Sequence, residues 1–136
     1  MLRAITPSSL RAPFARYSHA IEVPEGARLV FCSGQLGIGA DEVVPEGAEA
    51  QATLIFKAIA VILAEAGMGL GDIVRINAYV TGREHMAGYM KARDAVVRDP
   101  PPASTLMIVS GFTREEFKVE VEVVAAAGSA DVLVRS

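Results

Sequence analysis

The sequence predicts one α/β domain with a mixed sheet, and three observations carry that prediction. The chain has 136 residues, which suits a single core, since these typically occupy about 100–200 residues. It is 51% hydrophobic and 21% charged, a balance that supports a packed interior and argues against long disorder. Two segments of helical periodicity alternate with short β-branched runs in the order β-β-α-β-α-β-β, without repeats or a linker, so residues 1–136 are taken as one domain.

The elements follow in turn. His19–Val23 and Arg28–Cys32 are β-like, and Pro24-Glu25-Gly26 between them predicts an antiparallel hairpin. The chain then loops through Gly37, Gly39, Pro45 and Gly47. From about Glu49 to Ala66, Ala52, Ile55, Ile59, Ile62 and Ala66 recur at helical spacing, and Gly67 stands where a left-handed cap is expected. Ile73–Val80 is a β-branched strand, and Glu84–Arg98 a second helix stopped by Asp99 and three prolines. Thr105–Val109 and Phe117–Ala125 complete the strands, and Gly128–Ser136 is expected to be a short tail.

Two helices cover one face of such a sheet, yet Thr105–Val109 is apolar on both of its faces, Leu106 and Ile108 alternating with Met107 and Val109. A strand buried on both sides needs a second cover. A further copy of the chain is the simplest source, so an oligomer with open sheet faces turned inward is expected.

Charge and cysteine content exclude several classes. Thirteen basic against sixteen acidic residues give a formal charge of −3, so no global positive field attracts nucleic acid or an anionic membrane. The lone Cys32 cannot form an intramolecular disulfide, and no Cys/His spacing suggests a metal site. No cofactor motif is present: Gly67-Met68-Gly69-Leu70-Gly71 follows a helix and precedes a strand, the wrong context for phosphate binding. Residues Met1–Arg16 hold three arginines and no acid, as transit peptides do, but no apolar run follows, and no stretch is long enough to span a membrane. A cytoplasmic, reducing setting is the expectation.

Two constellations could carry chemistry. Ser33-Gly34-Gln35 is expected to close the second strand and enter a loop, offering short polar groups beside a glycine that admits a ligand to the backbone. Glu120 and Glu122 alternate with Val119, Val121 and Val123, placing both carboxylates on one face of the last strand, where either could act as acid or base. Cys32 has no neighbouring cation and is expected to be a buried structural thiol; His19 is expected to be structural and His85 exposed.

Tyr17-Ser18-His19-Ala20, Ser33-Gly34-Gln35, Gly71-Asp72-Ile73-Val74, Pro102-Ala103 and Val119-Glu120-Val121-Glu122, in that order and spacing, resemble the Rid (YjgF) family from about Arg3 to Ala127. The resemblance implies a chorismate-mutase-like fold, with two helices on one face of a mixed sheet, and a homotrimer with small-molecule clefts between subunits. Active deaminases of the family hydrolyse enamines and imines derived from amino acids, without metal or cofactor. The site implied for this chain is Glu120 as the catalytic group, with Tyr17, Ser33, Gly34, Gln35, Met86, Ser104 and Thr105 binding substrate.

Two of those positions depart from the family pattern. Ser104 stands where the family has an arginine that grips the substrate carboxylate, and an ungapped count places Met86 at an asparagine position. A bond to a charged group is typically worth about 1.5–3 kcal/mol, so losing the guanidinium fork predicts one to two or more powers of ten weaker binding or turnover. The expectation is a hydrolase- or lyase-type enzyme that is a poor 2-imino acid deaminase. The alternatives are a non-catalytic ligand-binding or regulatory protein and, further behind, a ribonuclease or translation inhibitor, against which the acidic balance and the lack of a basic stripe count.

Overall fold

In the computed structural model, which describes residues 2–128, the strand content divides into two sheets. A short ribbon pairs β1 (Arg3–Ile5) with β2 (Ala20–Glu22). The main sheet contains β3 (Arg28–Leu36), β4 (Ile73–Val80), β5 (Ala103–Ile108) and β6 (Val119–Ala127), in the order β3-β6-β4-β5. Only β4 and β5 run parallel, joined through α2 (Met86–Asp94), so the sheet is mixed and the fold α+β. The expected tail beyond Gly128 lies outside the described residues.

Two expectations need correction. No hairpin joins the first two sequence-predicted strands. The turn forms, with Ala27 N–H donating to Pro24 O at 3.3 Å and Gly26 at φ +79°, but it separates the sheets. The nine-residue β3 instead aligns with the nine-residue β6, a longer ladder than the three-residue β2 provides. The N-terminal strand that pairs with β2 was not expected, being three residues without a clear period. The second helix is also shorter than its apolar pattern, since a 3₁₀ turn occupies Arg83–His85 and the helix ends at Asp94.

The other long helix, α1 (Ala48–Ala64), closes as expected. Gly67 at φ +71° lets Met68 N–H reach Leu63 O at 2.9 Å and Gly67 N–H reach Ala64 O at 3.0 Å, a Schellman closure. Its buried side includes one polar residue, Gln51. The Gln51 amide donates to Pro45 O at 2.9 Å and Glu116 O at 2.8 Å and accepts from Lys118 N–H at 2.9 Å, which ties the helix to the approach to β6.

Both helices lie on one face of the main sheet. Val119, Val121, Val123 and Ala125 of β6, and Ile76, Ala78 and Val80 of β4, pack beneath Ile55, Ile59 and Leu63. Strand alternation sends Arg75, Asn77, Tyr79, Glu120 and Glu122 to the opposite face. That face also carries Phe31, 73% exposed, and Met107, 55% exposed. The sequence expectation of a second cover bears on this face, which one chain leaves open. Among the described residues no helix is long and apolar enough to cross a membrane.

Candidate functional site

The glycine-bearing segment lies within β3 and is not an exit into a loop. Cys32 pairs with Val123 and Gln35 with Val121, which leaves Ser33 and Gly34 together opposite Glu122 in a β-bulge. The bulge brings the backbone of β3 under the side chain of Glu120. A Cβ built on Gly34 would meet Glu120 Oε2 at 2.7 Å and Cδ at 2.8 Å, so only glycine leaves room for the carboxylate in this position. Gln35 donates from its amide to Ser33 O at 3.1 Å and fixes the rim. The Cys32 thiol is buried, and burial pushes its pKa up, in keeping with a structural role.

The two face carboxylates have different surroundings. Glu122 accepts a 2.6 Å hydrogen bond from the Tyr79 hydroxyl. The Glu120 carboxylate makes no hydrogen bond among the described residues, and partial burial, then the charge of Glu122, push its pKa above the ordinary carboxylate value. The bond to Glu122, followed by burial, also raises the pKa of Tyr79. Glu120 is therefore the carboxylate available to exchange a proton.

The remaining expected residues gather at the other edge of the sheet. Tyr17, Met86, Ser104 and Thr105 line one cavity of about 470 Å³ between β5 and α2. Ser18 locates Tyr17 there, its N–H donating to Pro102 O at 3.0 Å and its hydroxyl to Pro101 O at 2.6 Å. Ser104 points to the helix side of β5, whereas Thr105 points to the open face, where Arg75 donates to its hydroxyl at 2.7 Å.

Within one chain, Ser33, Gly34, Gln35 and Glu120 thus form one group, and Tyr17, Met86, Ser104 and Thr105 another. Three strand spacings, about 14 Å, separate β3 from β5. The chain does not bring the groups together by itself.

The structure adds one residue that sequence reasoning passed over. Arg93 is 2% exposed and lines the same cavity as Ser104 and Met86. Its Nε donates to Asp94 Oδ1 at 3.0 Å and its guanidinium carbon lies 5.7 Å from the Tyr89 ring centre. Arg93 Nη2, Tyr89 Oη and Ser104 Oγ are all buried, with Ser104 and Arg93 acting on the Tyr89 hydroxyl. Burial is the main reason that the Tyr89 pKa is pushed up to about 12. The signal was present in the sequence, because Met86, Tyr89, Met90 and Arg93 fall at i, i+3, i+4 and i+7 on one helix face. Of the two histidines, His19 leaves Nδ1 buried without a partner. His85 is only 21% exposed at its side chain, with Nε2 4.0 Å from Glu84 Oε2, so it is not the surface residue expected.

The family model described as endoribonuclease L-PSP matches residues 8–127. A crystal structure of a conserved Rid-family protein of unknown function, YyfB from Yersinia pestis, superposes with a TM-score of 0.78 at 22% identity, covering 93% of this chain and 98% of that one. RidA from an Antarctic Psychrobacter bacterium superposes with a TM-score of 0.69 at 28% identity, covering 92% and 99%. The mitochondrial protein mmf2 of Schizosaccharomyces pombe is 29% identical over 100 residues, 72% of this chain and 79% of the relative.

Proposed function

Because this chain belongs to the endoribonuclease L-PSP family, the Rid/YjgF proteins, we propose that it is a small-molecule hydrolase acting on an imine, enamine or related metabolite in clefts between the subunits of a homotrimer. The observation that carries this reading is the free carboxylate of Glu120, seated over the Gly34 bulge with a raised pKa. Two features support the assembly: the open sheet face exposes Phe31 and Met107, and each chain presents its site residues as two groups on opposite sheet edges. A neighbouring copy that covers the face would set the Glu120 group of one chain against the Tyr17 group of the next.

In this cleft a water molecule adds to the carbon of a C=N bond. Glu120 takes a proton from that water and delivers it to the nitrogen, giving a carbinolamine; the hydroxyl proton then passes through the same carboxylate to the amine nitrogen as the C–N bond breaks, and a carbonyl compound and ammonia leave. Ser33 and the Gly34 backbone offer hydrogen bonds near this centre. Ser104 supplies a neutral hydroxyl where the family resemblance implies an arginine, so short 2-imino acids are poorly held.

Ammonia release from freshly generated 2-aminoacrylate or 2-iminopropionate tests the reading. Turnover far below that of arginine-bearing relatives is expected, with the remainder abolished by Glu120→Gln; turnover at their rates would overturn it. Ser104→Arg should raise affinity for small 2-oxo acids by one to two powers of ten. The uncharged Ser104 also favours a second reading, a ligand-binding protein without turnover, and ligand binding with no Glu120-dependent ammonia release would select it.

A further inference from the structure

Beyond the end of α2 another arginine opens on a different cavity. Arg98 lines a volume of about 350 Å³ where β3 begins and β6 ends, and none of the residues around it lines the cleft between β5 and α2. The Arg98 backbone is held in place, because its carbonyl accepts from Arg16 Nη2 at 3.0 Å. The residue is half-buried, and its Nε and Nη2 are both buried without a hydrogen-bond partner. Those two nitrogens form one edge of the guanidinium. Their N–H bonds run parallel, at a spacing that matches the two oxygens of one carboxylate. A desolvated cation with a whole fork unused is costly to the fold, and a bound anion removes that cost.

The walls decide which anion fits. Leu2, Pro24, Ala27 and Ala127 are apolar and favour a hydrocarbon body. The Asp72 carboxylate, which accepts from Gly69 N–H at 2.8 Å, puts a negative charge on the same wall and disfavours a dianion. We propose that Arg98 anchors a second ligand site, separate from the cleft, for a small aliphatic monocarboxylate. Both carboxylate oxygens accept from the Nε and Nη2 edge, and a chain of a few carbons lies against the apolar wall. The volume stands near the lower end of small-molecule pockets, roughly 300–1,000 Å³, which suits an acid the size of butanoate. The site goes beyond the hydrolase reading, since it uses neither Glu120 nor any residue of the cleft.

Butanoate and its uncharged isostere butanamide, titrated into the full-length protein carrying ¹³C-labelled alanine methyls, test the site, because Ala27, Ala126 and Ala127 line it whereas Ala15 lines the cleft. Butanoate should give saturable shifts at Ala27, Ala126 and Ala127, with an affinity at least about tenfold above that of butanamide. Arg98→Met should bring the acid-to-amide ratio to about one. Arg98→Lys, which keeps the charge and loses the parallel fork, should retain only part of the preference. If Arg98→Met fails to fold, the wild-type ratio and the lysine variant decide, and a lysine variant with the full preference counts against the fork. Shifts confined to Ala15, no saturable shift, equal binding of acid and amide, or a preference that survives in Arg98→Met would overturn the site. Tighter binding of inorganic phosphate than of butanoate would overturn the ligand class. None of these outcomes depends on Glu120, so this site and the cleft reading fail separately.

Discussion

Gly34→Ala separates the site from the scaffold. The alanine Cβ would lie 2.7 Å from Glu120 Oε2, 2.8 Å from Cδ and 3.0 Å from Cγ. Ordinary contact begins near 3.4 Å, so the carboxylate must retreat by about 0.7 Å, the difference between 3.4 and 2.7. The conflict is with the far end of a flexible side chain, and Gly34 is not among the glycines with positive φ. The stability cost is therefore about 1 kcal/mol, a shift of about 4 °C in melting temperature for a chain of this size. The effect on chemistry is larger, because a misplacement near 1 Å can reduce a rate by about 10²-fold. Driven outward into solvent, Glu120 also loses part of the burial that raises its pKa. Two measurements check this together: thermal melting, and a ¹³C NMR titration of the Glu120 carboxyl. The expected result is a near-native melt with a Glu120 midpoint lower than in the wild type and Glu120-dependent turnover reduced by about 10–10²-fold. A variant with unchanged midpoint and unchanged turnover would refute the claim that the bulge positions this carboxylate.

Gly37→Ala has the opposite profile, since its Cβ would meet the Gln51 Cβ at 2.7 Å and the Gln51 backbone Cα at 2.8 Å. Neither atom can swing away, so a loss of about 1–3 kcal/mol in a denaturant melt is expected. Glu120→Gln should show a pH-dependent gain in stability. A carboxyl with a raised folded-state pKa stabilises the fold at acid pH, and that contribution is lost as pH rises from the unfolded value through the folded one. The variant should thus melt higher than the wild type at neutral pH and lose the advantage at acid pH, as paired thermal scans would show. Phe31→Asp places a charge on the edge strand β3 of the open sheet face, and light scattering should report a wild-type trimer and a dissociated variant. Ligand binding should be lost together with assembly if each cleft needs two chains.

The parts of the fold legible in the sequence are those set by burial period. The helix at Ala48–Ala64 and the strand at Ile73–Val80 lie within a residue or two of their apolar patterns, because each has one face to bury and no competing solution. Pairing was less legible. Pro24-Glu25-Gly26 makes a turn whether or not the strands beside it bond to each other, and a nine-residue partner far along the chain outcompetes a local one of three. The β1–β2 ribbon shows no period, because three residues are too few to display one.

At the site, the sequence located individual residues and left their grouping undetermined. Alternation along β6 placed Glu120 and Glu122 on a common face, but it could not distinguish them, since the distinction comes from Tyr79 on β4 donating to one alone. Ser33-Gly34 was recognised as a place for close approach, yet the bulge that puts Glu120 over it depends on the β3–β6 register. Arg93 was missed for a related reason. On a helix whose pattern ends near a proline run, a basic residue in the last turn is expected to face solvent and favour the dipole. The shared cavity with Ser104 overrides that expectation. A charge absent at 104 and a buried charge present at 93 are two facts about one volume, and only the packing of α2 on β5 shows that they concern the same place.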